Sequence, residues 1–142
     1  MTADELAKAC ARHLYSRDIA AQTLGITINE VKPGYAELQM TVRPDMLNGH
    51  AICHGGFIFA LADTAFAYAC NSYNKVTVAQ GCDIDYLKPG REGDVLIAVG
   101  QERNRSNRTG LYDIAVSRAG GETIAQFRGR AFQLSGEVIQ KP

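Results

Sequence analysis

The spacing of hydrophobic and polar residues changes repeatedly along the chain, and each change predicts a new element. Thr2 followed three positions later by Glu5 is a capping-box pattern, and Leu6, Cys10 and Leu14 then recur at helical spacing with Ala9 beside them. Residues 3–18 therefore read as an amphipathic helix lying on the body of the domain. After Leu24-Gly25 the period falls to two. Ile26 and Ile28 alternate with Thr27 and Asn29, and Ala36, Leu38, Met40 and Val42 alternate with Tyr35, Glu37, Gln39 and Thr41. With the turn signal Lys32-Pro33-Gly34 between them, these runs predict a β-hairpin with one buried face. Pro44 ends it, and 44–54 reads as a loop. Beyond Tyr73-Asn74 the β period returns at Val76, Val78, Gln80, Cys82, Ile84 and Tyr86, and Lys88-Pro89-Gly90 repeats the turn chemistry. Val95, Ile97 and Val99 mark a further strand, and the polar run Gln101 to Arg108 reads as a loop or strand end. Two more strands, 111–118 and 122–133, flank the glycine turn Ala119-Gly120-Gly121. Gly136 to Pro142 reads as a frayed tail.

Between the two β blocks, Gly55 to Ser72 is apolar, small or aromatic apart from one charge. It is too long and too rich in Ala for a single buried strand. As a helix it runs roughly 27 Å and is apolar on most faces, which places it in a core. Its one ionisable residue is Asp63. Burying a lone carboxylate costs several kcal/mol or raises its pKa, so Asp63 has partners, or borders a cavity, or the helix reading fails. Cys53-His54-Gly55-Gly56 leads into the helix, where free amides carry partial positive charge and can hold an oxyanion. The order is helix, two strands, long helix, four strands. That predicts an α+β class with a largely antiparallel sheet curled around the buried helix and an N-terminal helix outside it.

Composition narrows the function. The 142 residues fit one domain, 1–142, with 46% apolar residues and a formal net charge of +0, so nothing draws the chain as a whole to nucleic acid or an acidic membrane. No apolar run reaches membrane-spanning length without interruption, and the first residues lack a secretory pattern. Cys10, Cys53, Cys70 and Cys82 are irregularly spaced, which favours reduced thiols and a cytoplasmic setting. His50, Cys53 and His54 lie in one short loop with too few ligands for zinc, so no metal and no cofactor is expected.

Asn48-Gly49-His50, then His54-Gly55-Gly56, then Asp63 nine positions after His54, resemble the hot-dog fold acyl-CoA thioesterases. The stretch 47–72 is particularly similar to the PaaI type of the phenylacetate degradation pathway. Residues 83–90, 109–113 and 127–130 are similar to that family too, so the resemblance spans nearly the whole chain. It implies that Asp63 is the catalytic carboxylate and that the Gly55 N–H polarises the thioester carbonyl. It further implies that Asn48 positions the water or the carbonyl, that His54 supports the loop, and that Thr64 contributes a hydroxyl. Two positions depart from the pattern: Ala79 stands where relatives use Ser or Thr, and Ser106-Asn107 stands where relatives carry a Gly-Lys or Gly-Arg turn. The resemblance also implies a homodimer as the minimal active unit, assembled as a homotetramer.

This chemistry suits the residues. A thiol has a pKa of about 8.5, so the leaving group needs no strong acid, and the demanding parts are attack on the carbonyl and stabilisation of the oxyanion. A carboxylate can act as base on water or attack directly. There is no G-x-S-x-G to suggest a serine triad. Gly55 and Asp63 sit about 12 Å apart along one helix, so a single subunit cannot bring both to one acyl carbon, and two subunits are expected to share each site. CoA phosphates call for basic contacts. Among Arg103, Arg105, Arg108, Arg128 and Arg130, the favoured set is Arg105, Asn107, Arg108, Thr109 and Gly110, with Arg130. Met46, Leu47, Phe57, Phe66 and Tyr68 line either an acyl pocket or the core. The expected activity is hydrolysis of a small aryl-acyl-CoA, phenylacetyl-CoA or a ring-hydroxylated derivative. The alternatives are a non-catalytic acyl-CoA-binding protein or a dehydratase on the same fold.

Overall fold

In the computed structural model, which describes residues 1–141, the alternating segments become six antiparallel strands of one sheet. They are β1 (Thr27–Lys32), β2 (Tyr35–Thr41), β3 (Thr77–Tyr86), β4 (Val95–Ser106), β5 (Thr109–Arg118) and β6 (Thr123–Gln133), in the spatial order β1-β2-β4-β5-β6-β3. Helix α1 (Ala3–Arg17) packs on β1, and helix α3 (Gly55–Cys70) lies in the curl of the sheet, touching all six strands. Thr2 caps α1 by accepting the Glu5 N–H at 3.1 Å, as the capping box requires. The core forms where the inward residues of β2, β4, β5 and β6 meet Ile58, Leu61, Ala62, Ala65, Phe66 and Ala69 of α3. Phe66 is its centre, with ring centroids 5.6 Å from Tyr112 and 5.8 Å from Phe127. Gly129 of β6 lies directly under the Phe66 ring, where an added Cβ would come within 2.7 Å of it.

Several local expectations are corrected. A second short helix, α2 (Ile19–Thr23), follows α1, capped by Asp18, whose Oδ1 accepts the Ala21 N–H. A bulge at Asn29 shifts the register of β1, so Val31 rather than Glu30 follows Ile26 and Ile28 inward. Of the two readings of Gln101–Ser106, loop or strand end, the strand holds. It continues β4 and closes on β5 through the two-residue turn Asn107-Arg108, with Asn107 at φ 51°. β3 is an edge strand with a bulge at Gln80. Of its alternating set only Cys82 and Ile84 pack against the core, while Val78 is 42% and Tyr86 50% exposed.

The tail does not fray either. Leu134 N–H bonds Val76 O at 2.8 Å, and Val76 N–H bonds Gly136 O at 3.2 Å. The buried Asn74 donates to the Glu137 carboxylate and the Ile139 carbonyl, and accepts the Ile139 N–H at 2.8 Å. Pro142 lies outside the described residues. The side chains of Asn71, Ser72 and Asn74, all buried, thus close the C-terminal end of α3 with hydrogen bonds in place of apolar contacts.

Candidate active site

The approach to α3 is fixed by backbone bonds that tie the loop to the rest of the fold. Cys53 N–H bonds Gly90 O at 2.7 Å and His54 N–H bonds Met46 O at 2.8 Å. Within the loop, Asn48 N–H bonds Ile52 O, while the Asn48 side-chain oxygen accepts from His50 N–H at 2.9 Å and Ile52 N–H at 3.4 Å. Those two donors fix the amide orientation, leaving the Asn48 Nδ2 as a donor without an intramolecular acceptor among the described residues. Cys53 is buried, and burial pushes its thiol up to about 11, far from a useful nucleophile at neutral pH.

His54 caps α3. Its Nδ1 accepts the Gly56 N–H at 3.3 Å, which places the imidazole proton on Nε2, and its carbonyl accepts the Phe57 N–H at 3.0 Å. The Gly55 N–H, one position before these bonded amides, has no acceptor among the described residues. Gly55 lines a cleft of about 410 Å³ with Asn48, Ile52, Ile58, Tyr86 and Leu87 among others. A free first amide at a helix N-terminus is a donor held where negative charge is favoured.

Two turns further along α3 is Asp63, half-buried, with no hydrogen bond or ion pair among the described residues. Burial first, and then the negative charge of Asp18, hold its pKa above the ordinary carboxylate value. Of the three options open from the sequence, the helix reading holds and a partner for Asp63 is absent among the described residues. Asp63 lies on an incompletely covered stripe of α3 with Gly56, Ala60 and Ala67. Thr64 beside it donates its hydroxyl proton to Ala60 O at 2.7 Å, so only its oxygen lone pairs remain free. Cys82 of β3 is also close enough for the Asp63 charge to raise its thiol pKa, after the larger effect of burial. Ala79 is exposed on β3 and offers no polar group.

The predicted phosphate contacts separate into two groups. Arg105, Asn107, Arg108, Thr109 and Gly110 converge on a hollow at the opposite end of α3, together with Tyr73, Lys75 and Thr77. The Arg105 guanidinium lies 3.6 Å over the Tyr73 ring, and neither Arg105 nor Arg108 has an acidic partner among the described residues. Arg130 is not in that group: it pairs with Asp83 at 2.9 Å. Arg103 and Arg128 both bind Asp113, and chiefly the Arg128 bonds hold that carboxyl below its usual range. Of the proposed acyl-pocket residues, Met46, Phe66 and Tyr68 belong to the core. The cleft walls that sequence reasoning missed, Ile52, Tyr86 and Leu87, sit in segments that read as loop and strand end. The exposure of Tyr86 follows from β3 being an edge, which periodicity does not reveal.

Residues 50–125 match the thioesterase superfamily family model. The chain is 47% identical over 128 residues to the acyl-coenzyme A thioesterase PaaI of Escherichia coli K12, covering 90% of this chain and 91% of that one. The structure of the E. coli PaaI protein, from the phenylacetic acid degradation operon, superposes with a TM-score of 0.94 at 45% identity over 96% of this chain and 99% of that one. A mutant of the phenylacetic acid degradation protein PaaI from Thermus thermophilus gives a TM-score of 0.79 at 38% identity, over 82% and 100% of the two chains. The acetyl-CoA complex of smu.793 from Streptococcus mutans gives 0.75 at 25% identity, over 79% and 90%. With the curled antiparallel sheet around α3, these likenesses show that the chain belongs to the thioesterase superfamily and is a hot-dog acyl-CoA thioesterase of the PaaI type.

Proposed function

We propose that the enzyme hydrolyses small aryl-acyl-CoA thioesters, phenylacetyl-CoA or a ring-hydroxylated derivative, at a site shared by two subunits. The observation that carries this reading is the unpaired Gly55 N–H at the start of the helix that also bears an unpaired carboxylate. The thioester carbonyl accepts the Gly55 N–H, and the Asn48 Nδ2 steadies the carbonyl or the water. Asp63 takes a proton from water as its oxygen attacks the carbonyl carbon. The oxyanion then collapses and the C–S bond breaks, releasing CoA thiolate. The raised pKa of Asp63 makes it a stronger base than a solvated carboxylate. Direct attack by Asp63, giving an anhydride that water then opens, uses the same atoms, and trapping an acyl-enzyme in single turnover distinguishes the two. Thr64 offers its free oxygen lone pairs as an acceptor for the second proton of the attacking water, and His54 holds the loop.

The spacing of about 12 Å between Gly55 and Asp63 requires that they serve different acyl carbons unless a second α3 lies alongside. The small residues Gly56, Ala60 and Ala67 allow such an approach, and the exposed Val78 on the open edge of β3 supports joining two sheets there. A homodimer with two equivalent sites, paired again as a tetramer, follows from this. Arg105, Asn107, Arg108, Thr109 and Gly110 take CoA phosphates at the far end of the helix, and Arg130 adds charge beside them once its pairing with Asp83 is exchanged. The origin of the E. coli relative in a phenylacetic acid degradation operon supports the aryl-acyl choice, and the acetyl-CoA complex supports CoA recognition. The test is Asp63→Asn with thiol release from a panel of acyl-CoAs. A loss of about a hundredfold or more with intact folding supports the reading. A wild-type rate in that variant, or a fully active monomer by light scattering, refutes it.

A further inference from the structure

We propose that Tyr86 is a positioning residue for the oxyanion donor: its hydroxyl and ring clamp the first residue of α3 so that the Gly55 N–H stays aimed into the cleft. The inference rests on the reading of Gly55 given above. The need for a clamp follows from the sequence. Helix α3 starts with two glycines, the residues with most backbone freedom to lose, and a helix end has no preceding turn to hold it. On one side, His54 Nδ1 takes the Gly56 N–H. On the other, the Tyr86 hydroxyl donates to the Gly55 carbonyl at 3.0 Å. The ring also lies on the residue itself: a Cβ added at Gly55 would stand 3.1 Å from Tyr86 Cζ, 3.2 Å from its hydroxyl and 3.3 Å from Cε1. Tyr86 thereby secures the glycine, and a side chain at 55 would have to push the ring aside by a few tenths of an ångström.

The clamp is anchored in the sheet rather than in a loop. Tyr86 pairs with Ala125 of β6, and the next two amides, Leu87 and Lys88, both bond Ile124 O, at 2.8 and 3.1 Å. A half-exposed tyrosine on an edge strand has no core to fill, so these contacts are what its side chain does. A donor held in place before the charge develops is worth more than one that must be ordered as the charge appears.

The test is Tyr86→Phe, which keeps the ring and the cleft wall and removes only the hydroxyl. With phenylacetyl-CoA, kcat is expected to fall about tenfold while KM changes less than twofold and the thermal melt is unchanged. The second readout does not depend on turnover. Phenylacetyl-CoA labelled with ¹³C at the carbonyl is bound to Asp63→Asn and to Asp63→Asn/Tyr86→Phe, and the infrared carbonyl stretch is compared. The lowered frequency in the first is expected to move back toward the free-solution value in the second. A wild-type kcat in Tyr86→Phe, a loss carried equally by KM, or an unmoved carbonyl band overturns the clamp while leaving the hydrolytic role of Asp63 intact. A wild-type rate in Asp63→Asn instead refutes the shared-site reading, and the clamp with it.

Discussion

Gly129→Ala tests how tightly the bed of helix α3 is packed. Gly129 lies on β6 between Cys82 of β3 and Tyr112 of β5, with its α-carbon facing the Phe66 ring. A methyl group there would sit 2.7 Å from three atoms of that ring, where ordinary contact begins near 3.4 Å. The ring must therefore withdraw by about 0.7 Å, and it is fully buried against Tyr112 and Phe127, so it cannot simply rotate away. Overpacking of this kind costs roughly 1–3 kcal/mol. For 142 residues the unfolding entropy is about 0.3 kcal/mol/K, so the melting temperature should fall by about 3–10 °C. Phe66 follows Asp63 by less than one helical turn, so thiol release below the transition should fall as well. The partner variant sharpens the test. Phe66→Leu alone leaves a void costing on the order of 1 kcal/mol or more, but in the Gly129→Ala background it makes room for the methyl. The double variant should then lose less than the two single losses added together, by more than about 0.5 kcal/mol. Calorimetric melts of all four proteins decide the matter. A Gly129→Ala melt within about 1 °C of wild type, or strict additivity, refutes the packing argument.

Other expectations follow from the same geometry. Asp18→Asn removes a negative charge that raises the Asp63 pKa, yet its amide oxygen can still accept from Ala21 N–H while its Nδ2 donates to the Tyr68 hydroxyl oxygen. The acidic limb of the kcat/KM profile should move to lower pH with the melt unchanged, and an unmoved limb contradicts the electrostatic link. Asp63→Asn should raise the melting temperature at neutral pH. A carboxyl whose folded pKa lies above its unfolded value favours the folded state while protonated and loses that contribution as pH rises through the folded value. Asparagine avoids this loss, so its advantage should vanish below about pH 3.8; equal melts at neutral pH would show that burial costs Asp63 nothing. Asn74→Gly keeps the positive φ of 62° but drops three bonds to Glu137 and Ile139, so limited proteolysis should cut 134–141 faster; unchanged cleavage would mean the tail is held elsewhere.

Much of the fold was legible because burial imposes a period. Leu38, Met40 and Val42 sit inward on every second position, and α3 is betrayed by an apolar run too long for a strand. Where the period misleads, a bulge or an edge is the cause: Asn29 slips the register of β1, and Val78 and Tyr86 alternate correctly yet face no core. The polar stretch after Gln101 left loop and strand end undecided because its side chains face solvent on both sides of a hairpin, a case in which backbone pairing alone makes the strand. In the candidate site, Asn48, Gly55 and Asp63 stood out through residue type and spacing near a helix start. Tyr86 did not, because its contact with Gly55 joins residues thirty-one positions apart through the curl of the sheet, and no local pattern records it.

The place of β3 at the sheet's margin matters while the protein is being made. Its neighbour within the chain is β6, so a strand complete at Tyr86 waits for a mate that does not begin until Thr123. During that interval a ten-residue ribbon of unpaired amides and carbonyls leaves the ribosome with α3 to lie on but no strand of its own chain to pair with, a situation that invites capture by neighbouring nascent chains. Slowing translation through 87–122 should lengthen the interval and lower soluble yield, whereas the segment 123–133, supplied in trans, should act as a chaperone for this one molecule.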